Sequence, residues 1–164
     1  MRFCELLSDI EVMDKGGDLC AVLEGIAYDS RNAGPNYLFV AVTGFNTDGH
    51  GFLRQAIQQG ATAAIIERQV ELPEGIAWAQ VRDSRLALAR LSARFYDNPA
   101  RKLRLVGVTG TNGKTTTTNL IAAIGEAAFM KVGLIGTIHN RIGHRIISGS
   151  HTTPESTDLQ RLLK

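Results

Sequence analysis

The feature that most constrains the fold of this chain is a glycine-rich loop between an apolar segment and a helical pattern. An apolar run at 103–108 leads into residues 109–115, Thr-Gly-Thr-Asn-Gly-Lys-Thr, and a helical pattern follows directly. This order predicts a strand, a tight loop and a helix. The small residues allow the N–H groups of the loop to converge on one point, as in a P-loop.

The residue types in this loop are those that bind the phosphates of a nucleotide. Gly110 and Gly113 leave room for backbone N–H groups around phosphate oxygens, Lys114 can reach the β- and γ-phosphates, and the Thr115 hydroxyl can hold Mg²⁺. The helix adds its N-terminal partial positive charge. The strict pattern G-x-x-x-x-G-K-[ST] requires glycine where this chain has Val108, and a turn used only for packing is the alternative. The order of elements favours nucleotide binding.

The length, charge and apolar content of the chain limit the kinds of molecule that it is expected to bind. A chain of 164 residues can hold one domain, or one domain and part of another. The net charge of +2 and the scattered basic residues argue against a nucleic-acid-binding surface. The sequence contains no signal-like segment and no apolar run long enough to span a bilayer, so a cytoplasmic location is expected.

The cysteines and histidines do not indicate a metal site or a disulfide framework. Cys4 and Cys20 stand sixteen residues apart, and we expect two buried or half-buried thiols. The histidines do not pair at metal-ligand spacing. Surface or contact roles are therefore expected for all four: His50, His139, His144 and His151.

The first hundred residues alternate strand and helix patterns. A short amphipathic stretch at 3–10 and a β-rich segment at 19–28 come first. Buried strands are predicted at 37–42, where the apolar run is continuous, and at 61–66 and 76–81. A helix is predicted at 52–59 and ends at Gly60, and Asp83 is expected to cap a second helix. Residues 97–102 then predict a linker.

A second unit is predicted after this linker. The strand at 103–108, a helix to about Phe129 and a strand at 131–135 indicate a βαβ crossover with parallel pairing. Leu120, Ile121, Ile124 and Ala128 are expected on the buried side of that helix. A hairpin is predicted over 138–147.

The last predicted helix begins with Thr153 at its N-cap and Pro154 at its first position. Its pattern reaches Lys164 without a capping or breaking residue. We therefore expect the chain to be part of a longer protein. A small, complete, two-lobed protein is the alternative.

Three blocks of this sequence resemble the Mur ligase family, the ATP-dependent amide-forming enzymes of peptidoglycan precursor synthesis. The blocks are 29–31 with 38–44 and 48–49, the loop 107–116, and 152–156. The first and third blocks are most similar to the type that adds the third amino acid, diaminopimelate or lysine. Other Mur ligases, folylpolyglutamate synthetases and cyanophycin synthetases have similar nucleotide loops and remain alternatives.

The resemblance implies an α/β fold with two domains. Residues 1–100 are expected to form a mixed α/β domain that binds a UDP-sugar. Residues 101–164 are expected to form the incomplete start of a Rossmann-like, parallel-sheet ATP-binding domain. ATP and Mg²⁺ are the implied cofactors, and a UDP-N-acetylmuramoyl dipeptide and an amino acid are the implied substrates.

The resemblance also assigns roles to residues by matching positions. The ATP-binding positions are Gly110, Thr111, Asn112, Gly113, Lys114, Thr115 and Thr116, with Lys114 and Thr115 as catalytic residues and Thr115 as the metal ligand. The UDP-sugar positions are Tyr28, Ser30, Phe45, Asn46, Thr47, Thr152 and Thr153.

The substrate positions also have structural alternatives. Asp29, Ser30 and Arg31 fit a turn bonded by its own side chains, Thr152 and Thr153 fit helix caps, and Phe45 fits a core position.

The implied reaction activates a substrate carboxylate with ATP to an acyl phosphate, which an amine then attacks. The downstream acidic Mg²⁺ ligands, the carbamoylated lysine and the C-terminal domain of the family lie beyond residue 164, so this chain alone is not expected to be active. A nucleotide-dependent switch and a UDP-sugar-binding module are the alternative functions.

Overall fold

The computed structural model describes residues 1–44, 47–138, 140–143, 145–147 and 154–164. These residues divide into two compact units, one formed by Met1–Lys102 with Ser156–Lys164 and the other by Leu103–Glu155. We refer to them as the first and second units. The last helix therefore belongs to the first unit by its contacts. The sequence analysis instead expects this helix in the domain formed by residues 101–164. That division into domains stays a prediction.

The first unit is built on a five-stranded, mostly parallel sheet. Its strands are β1 Asp14–Gly16, β2 Gly25–Ala27, β3 Tyr37–Val40, β4 Ala61–Ile66 and β5 Ala77–Gln80, in the order β1-β5-β4-β3-β2. β2 to β5 run parallel, and β1 pairs antiparallel with β5 at one edge. β3 and β4 are apolar on most successive residues because these strands are covered on both faces, whereas buried and half-buried residues alternate in β5. The predicted α/β class is confirmed.

Five α-helices occur in the described residues. They are α1 Phe3–Leu7, α2 Leu53–Gln58, α3 Ser84–Phe95, α4 Lys114–Ala127 and α5 Ser156–Leu163. The predicted cap of α3 is confirmed, because the Asp83 carboxylate accepts a hydrogen bond from the Leu86 N–H at 2.8 Å. Gly60 follows α2 with a φ of 108°, as its predicted place at the helix end requires.

The core of the first unit lies on both faces of the sheet. On one face Leu38, Val40 and Ile65 are buried in one cluster with α1 and α3 residues such as Phe3 and Leu88. The other cluster contains residues of the opposite face and of α2, including Phe39, Ala41, Leu53, Ala64 and Ile66. Successive strand residues alternate between the two clusters, as the two-residue period of a strand requires.

The second unit contains α4 and a small antiparallel sheet. Its strands are β6 Gly133–Leu134, β7 Asn140–Ile142 and β8 Arg145–Ile147, in the order β6-β7-β8. The predicted hairpin is confirmed by the pairing of β7 with β8.

The strand predicted at 103–108 and its parallel pairing are wrong for this structure. Those residues form no strand, and β6 pairs antiparallel with β7. A strand exists only with a partner for its backbone groups, and none of the described residues supplies one here. The predicted inner side of α4 is exposed as well: Leu120 is 61% and Ile124 69% accessible.

Two smaller predictions are also corrected. Cys4 and Cys20 are exposed rather than buried. In α1 the buried residues are Phe3, Leu6 and Leu7, which leaves Cys4 on the outer side. The last helix begins at Ser156, so Pro154 precedes it instead of forming its first position. In the described part of the chain, no helix is both long and apolar enough to cross a membrane.

Candidate phosphate loop and strand-end site

The phosphate loop of the second unit turns at two glycines. Gly110 has a φ of 151° and Gly113 a φ of 77°, and Gly113 directly precedes α4. L-residues with a side chain rarely adopt this conformation. A Cβ placed on Gly113 meets no atom within 4 Å, so backbone conformation rather than crowding requires glycine there.

The backbone donors of this loop are free to bind an anion. Among the described residues, no acceptor is bonded to the N–H groups of 111–116. The first bonded amide belongs to Thr117, which donates to the Gly113 carbonyl at 2.9 Å. Unbonded amides at the start of a helix, together with the helix dipole, form a site for negatively charged groups. The arrangement therefore suits a phosphate.

The two candidate catalytic residues stand where this loop enters α4. The Lys114 ammonium donates to the carbonyl oxygens of Gly110 and Thr111, the latter at 3.2 Å. It thus lies over its own loop, and it is exposed. Thr115 is also exposed, and its carbonyl accepts hydrogen bonds from Thr118 at 3.0 Å and Asn119 at 2.8 Å. These bonds lie within the first turn of α4. In the described residues, the Thr115 hydroxyl makes no hydrogen bond.

A cleft of about 220 Å³ opens beside Lys114 and Thr115. One wall is α4, with Thr118 and Asn119, and the other is formed by residues 134–138. The second unit therefore offers a partly polar space next to the phosphate loop.

The first unit gathers the other candidate residues at one edge of its sheet. Tyr28 and Ser30 follow β2, and Thr47 follows β3, so all three come after the carboxyl ends of adjacent parallel strands. Parallel α/β sheets bind their ligands at this edge. The candidates Phe45, Asn46, Thr152 and Thr153 lie outside the described residues.

The turn after β2 is closed by its own side chains. The Asp29 carboxylate accepts a hydrogen bond from the Arg31 N–H at 3.0 Å and pairs with the Arg31 guanidinium at 2.6 Å. The hydrogen bond from the Arg31 side chain lowers the pKa of Asp29. This is the bonded turn that the sequence offered as the alternative role of residues 29–31.

Two of the candidate hydroxyl groups at this edge, those of Tyr28 and Ser30, have protein partners. Ser30 is buried, and its hydroxyl donates to the Gln55 side-chain oxygen at 2.8 Å. The Tyr28 hydroxyl donates to the Asp158 carboxylate in α5 at 2.6 Å. A ligand at this edge meets side chains that are already held in place.

The sequence did not indicate the burial of His50, for which a surface or contact role was expected. His50 is only 7% exposed. Its Nδ1 lies 2.6 Å from the Asp48 carboxylate, and its Nε2 accepts the Glu67 N–H at 2.9 Å. Because Nε2 is the acceptor, the ring proton must be on Nδ1, which donates to Asp48.

Glu67 is the second residue that the sequence did not reveal. Its carboxylate accepts hydrogen bonds from the Thr43 hydroxyl at 2.7 Å, the Ser84 N–H at 2.8 Å and the Ser84 hydroxyl at 2.7 Å. Burial raises the pKa of Glu67, but the bonds from Thr43 and Ser84 outweigh it, and the pKa is lowered. A carboxylate directly after a buried parallel strand was the signal that could have identified it.

Asp48 lies in the same network. The backbone N–H of His50, the Arg68 guanidinium and the His50 ring all bond to its carboxylate and hold its pKa well below the usual range. Both carboxylates of the network are therefore ionised and satisfied by internal donors.

Together these features define an α/β protein with a phosphate loop in one unit and a polar strand-end edge in the other. A model of the Mur ligase family, catalytic domain, matches residues 22–96, and a model of the Mur ligase middle domain matches residues 108–164. The two models cover most of the sequence. The chain belongs to the Mur ligase family.

Individual relatives agree with this assignment. The chain is 46% identical over its whole length to a UDP-N-acetylmuramoyl-L-alanyl-D-glutamate--2,6-diaminopimelate ligase of Alkaliphilus metalliredigens, covering 33% of that protein. It is 46% identical over 99% of its length to the protein of the same name from Caldanaerobacter subterraneus subsp. tengcongensis, again covering 33%. A solved structure of a ligase with this name aligns with 99% of the chain and 32% of its own, at a TM-score of 0.76 and 27% identity. The chain thus spans about a third of the length of the relatives it matches.

Proposed function

We propose that this chain is part of an ATP-dependent ligase that adds the third amino acid to UDP-N-acetylmuramoyl-L-alanyl-D-glutamate in peptidoglycan synthesis. The observation that carries the proposal is the phosphate loop, with unbonded amides at 111–116 and the Lys114 ammonium beside them. The names of the relatives favour diaminopimelate over lysine as the amino acid. Free cysteines are consistent with a cytoplasmic location.

In this proposal, the loop residues bind the triphosphate of ATP. The amides of Gly110, Thr111, Asn112, Gly113 and Lys114, followed by those of Thr115 and Thr116, hold the phosphate oxygens. The charge of Lys114 offsets the repulsion between a substrate carboxylate and the γ-phosphate. Transfer of the γ-phosphate to the carboxylate then gives an acyl phosphate and releases ADP. Attack of the incoming amine on the acyl carbon gives the amide and releases phosphate.

The residues present also fit a magnesium ion. Thr115 offers an exposed hydroxyl oxygen at the start of α4, and Mg²⁺ prefers oxygen ligands. When bound, the ion neutralises negative charge on the β- and γ-phosphates. Thr115 would hold the ion through this hydroxyl oxygen.

The strand-end edge of the first unit is proposed to bind the UDP end of the substrate. Tyr28, Ser30 and Thr47 lie at that edge, which supports the assignment. The same role is proposed for Phe45 and Asn46 in the loop after β3, and for Thr152 and Thr153 before α5, because they match family positions.

Separate titrations of the chain with UDP-N-acetylmuramoyl-L-alanyl-D-glutamate and with Mg-ATP test the proposal, with heat of binding as the readout. Binding of both ligands supports the ligase. Binding of ATP alone favours a nucleotide-dependent switch, and binding of neither ligand overturns the proposal.

A further inference from the structure

Two consecutive residues after β4 hold the loop that follows β3 at three points. The Glu67 carboxylate accepts the Thr43 hydroxyl at 2.7 Å, the Glu67 N–H donates to His50 Nε2 at 2.9 Å, and the Arg68 guanidinium donates to the Asp48 carboxylate. We call these five residues, Thr43, Asp48, His50, Glu67 and Arg68, the clasp. Its bonds join sequence positions 17 to 24 residues apart.

The backbone of the loop is closed between these points. The Gly44 N–H donates to the Thr47 carbonyl at 2.9 Å, and Thr43 and Asp48 form an antiparallel bridge. The Gly49 N–H donates to the Val42 carbonyl at 3.0 Å, and a Cβ on Gly49 would lie 2.7 Å from the Val42 nitrogen. The loop thus returns so closely to its own strand that position 49 has no room for a side chain.

The clasp is anchored in the core of the first unit. The Glu67 oxygen that does not bind Thr43 accepts both the N–H and the hydroxyl of Ser84, which is fully buried in the first turn of α3. His50 is buried as well. Thr43, Asp48 and His50 are therefore fixed to the end of a central strand and to a helix start, and not only by exposed ion pairs, which contribute little.

The carboxylates of the clasp are unsuited to touch a diphosphate. Asp48 and Glu67 are negatively charged, and direct contact with phosphate oxygens would be repulsive. Their oxygens accept hydrogen bonds from Thr43, Ser84, His50 and Arg68 instead. Their role is therefore to hold other groups.

We infer that the clasp is a positioning device that holds Thr43, Thr47 and Asp48 in place for the uridine-nucleotide end of the substrate. The inference rests on the proposed function, in which Thr47 lies at the UDP site. Residues that are held in place before binding lose little conformational freedom on binding, so the ligand binds more tightly. The clasp residues are positioning residues and need not contact the ligand.

A double variant tests the inference with UDP as the probe. Thr43→Val keeps the shape of the side chain and removes its hydroxyl, and Arg68→Met removes the guanidinium. Both side chains are exposed, so the fold is expected to survive. We expect the Kd for UDP to rise about tenfold, because two of the three ties are lost. The matched variant Thr43→Ser with Arg68→Lys keeps both donors and is expected to bind within about twofold of the original chain.

The controls separate positioning from stability. Asp9→Asn removes the negative charge and one of the two acceptors from the pair with Arg94, which joins α3 to the segment after α1 and involves no clasp residue. It is expected to leave the Kd unchanged. Hydrogen exchange of the Gly44 and Gly49 amides is expected to quicken in the Val/Met variant and not in Asp9→Asn.

Three outcomes would count against these statements. An unchanged Kd for UDP in the variant Thr43→Val with Arg68→Met overturns the clasp inference, while the proposed function stands. If UDP binding weakens equally in that variant and in Thr43→Ser with Arg68→Lys, the inference is also overturned, because loss of the hydrogen bonds is then not the cause of the weaker binding. Failure of the original chain to bind UDP overturns the proposed role of the first unit, and the clasp inference with it.

Discussion

The two units of this chain differ in how many buried residues support their candidate sites. The first unit encloses its sheet between two apolar clusters that include Phe3, Leu38, Phe39 and Ile65, all at most 1% exposed. In the described residues of the second unit, only Ala122, Leu134 and Asn140 are buried. The strand-end edge thus depends on a packed core, whereas the phosphate loop depends on local backbone geometry.

The second unit also exposes a large amount of apolar surface. Its exposed large apolar side chains include Leu103, Leu105, Val106, Leu120, Ile121, Ile124, Phe129, Met130, Ile135, Ile138, Ile142 and Ile146. A helix of 14 residues and a short hairpin are each marginally stable without tertiary burial. A phosphate-binding geometry is thus present in a unit that buries little apolar surface.

The largest expected effect concerns function in the second unit. In an intact ligase carrying this sequence, Lys114→Ala is expected to reduce ATP turnover by about 100-fold or more, because it removes the charge that offsets phosphate repulsion. Phosphate release measures this. The unfolding midpoint should not change, since an exposed loop lysine supports no core. Turnover equal to that of the original enzyme would remove Lys114 from the mechanism.

The second prediction compares the local stability of the two units by hydrogen exchange. Amide hydrogens of β3 and β4 are expected to exchange at least about 100-fold more slowly than those of α4, because the former open only when the core unfolds. Hydrogen exchange followed by mass spectrometry or NMR measures both in one sample. Similar protection in the two units would contradict the comparison.

A pair of isoleucine substitutions compares how much each unit contributes to the free energy of unfolding. Ile65→Ala, at a fully buried position in β4, is expected to cost about 2–5 kcal/mol of unfolding free energy. Ile124→Ala, at an exposed position in α4, is expected to change it by less than about 0.5 kcal/mol. Trp78, the single tryptophan, lies in β5 and reports unfolding of the first unit in urea. A cost for Ile124→Ala equal to that of Ile65→Ala would refute the division.

The smallest effect is a loss of stability in acid that originates in the first unit. The pKa values of Asp48 and Glu67 are lowered from ordinary values of 3.8 and 4.5. The unfolded chain therefore binds protons more readily than the folded one, and the stabilisation is complete above those values and declines as pH falls below about 4.5. Trp78 fluorescence in urea should show this decline. The variant Asp48→Asn with Glu67→Gln should show a shallower one, and an identical slope would exclude these groups as its source.

Local patterns were sufficient for much of the fold and part of the site. The apolar residues at 61–66 predicted β4, and Asp83 predicted the cap of α3. The residues from Gly110 to Thr115 predicted a loop, whose amides are unbonded. Each depends on neighbours within a few residues, so the sequence contains the whole interaction. The positions of Tyr28, Ser30 and Thr47 at one edge also follow from parallel strands, although their ligand stays a prediction.

Other predictions failed because they needed partners distant in the sequence. The apolar run at 103–108 has high strand propensity, but no described strand pairs with it. His50 has no distinctive local pattern, and the local signal for Glu67 is only its place directly after a buried strand. They meet only because adjacent strands bring their ends together.

The sequence alone determined the central strands and the helices of the first unit, the phosphate loop and the family to which the chain belongs, because each depends on contiguous residues. Only the tertiary structure decided which apolar faces are covered, and it alone joined Thr43, His50 and Glu67 into one network. Burial and side-chain hydrogen bonds depend on which distant segments meet, and that is a property of the folded chain as a whole.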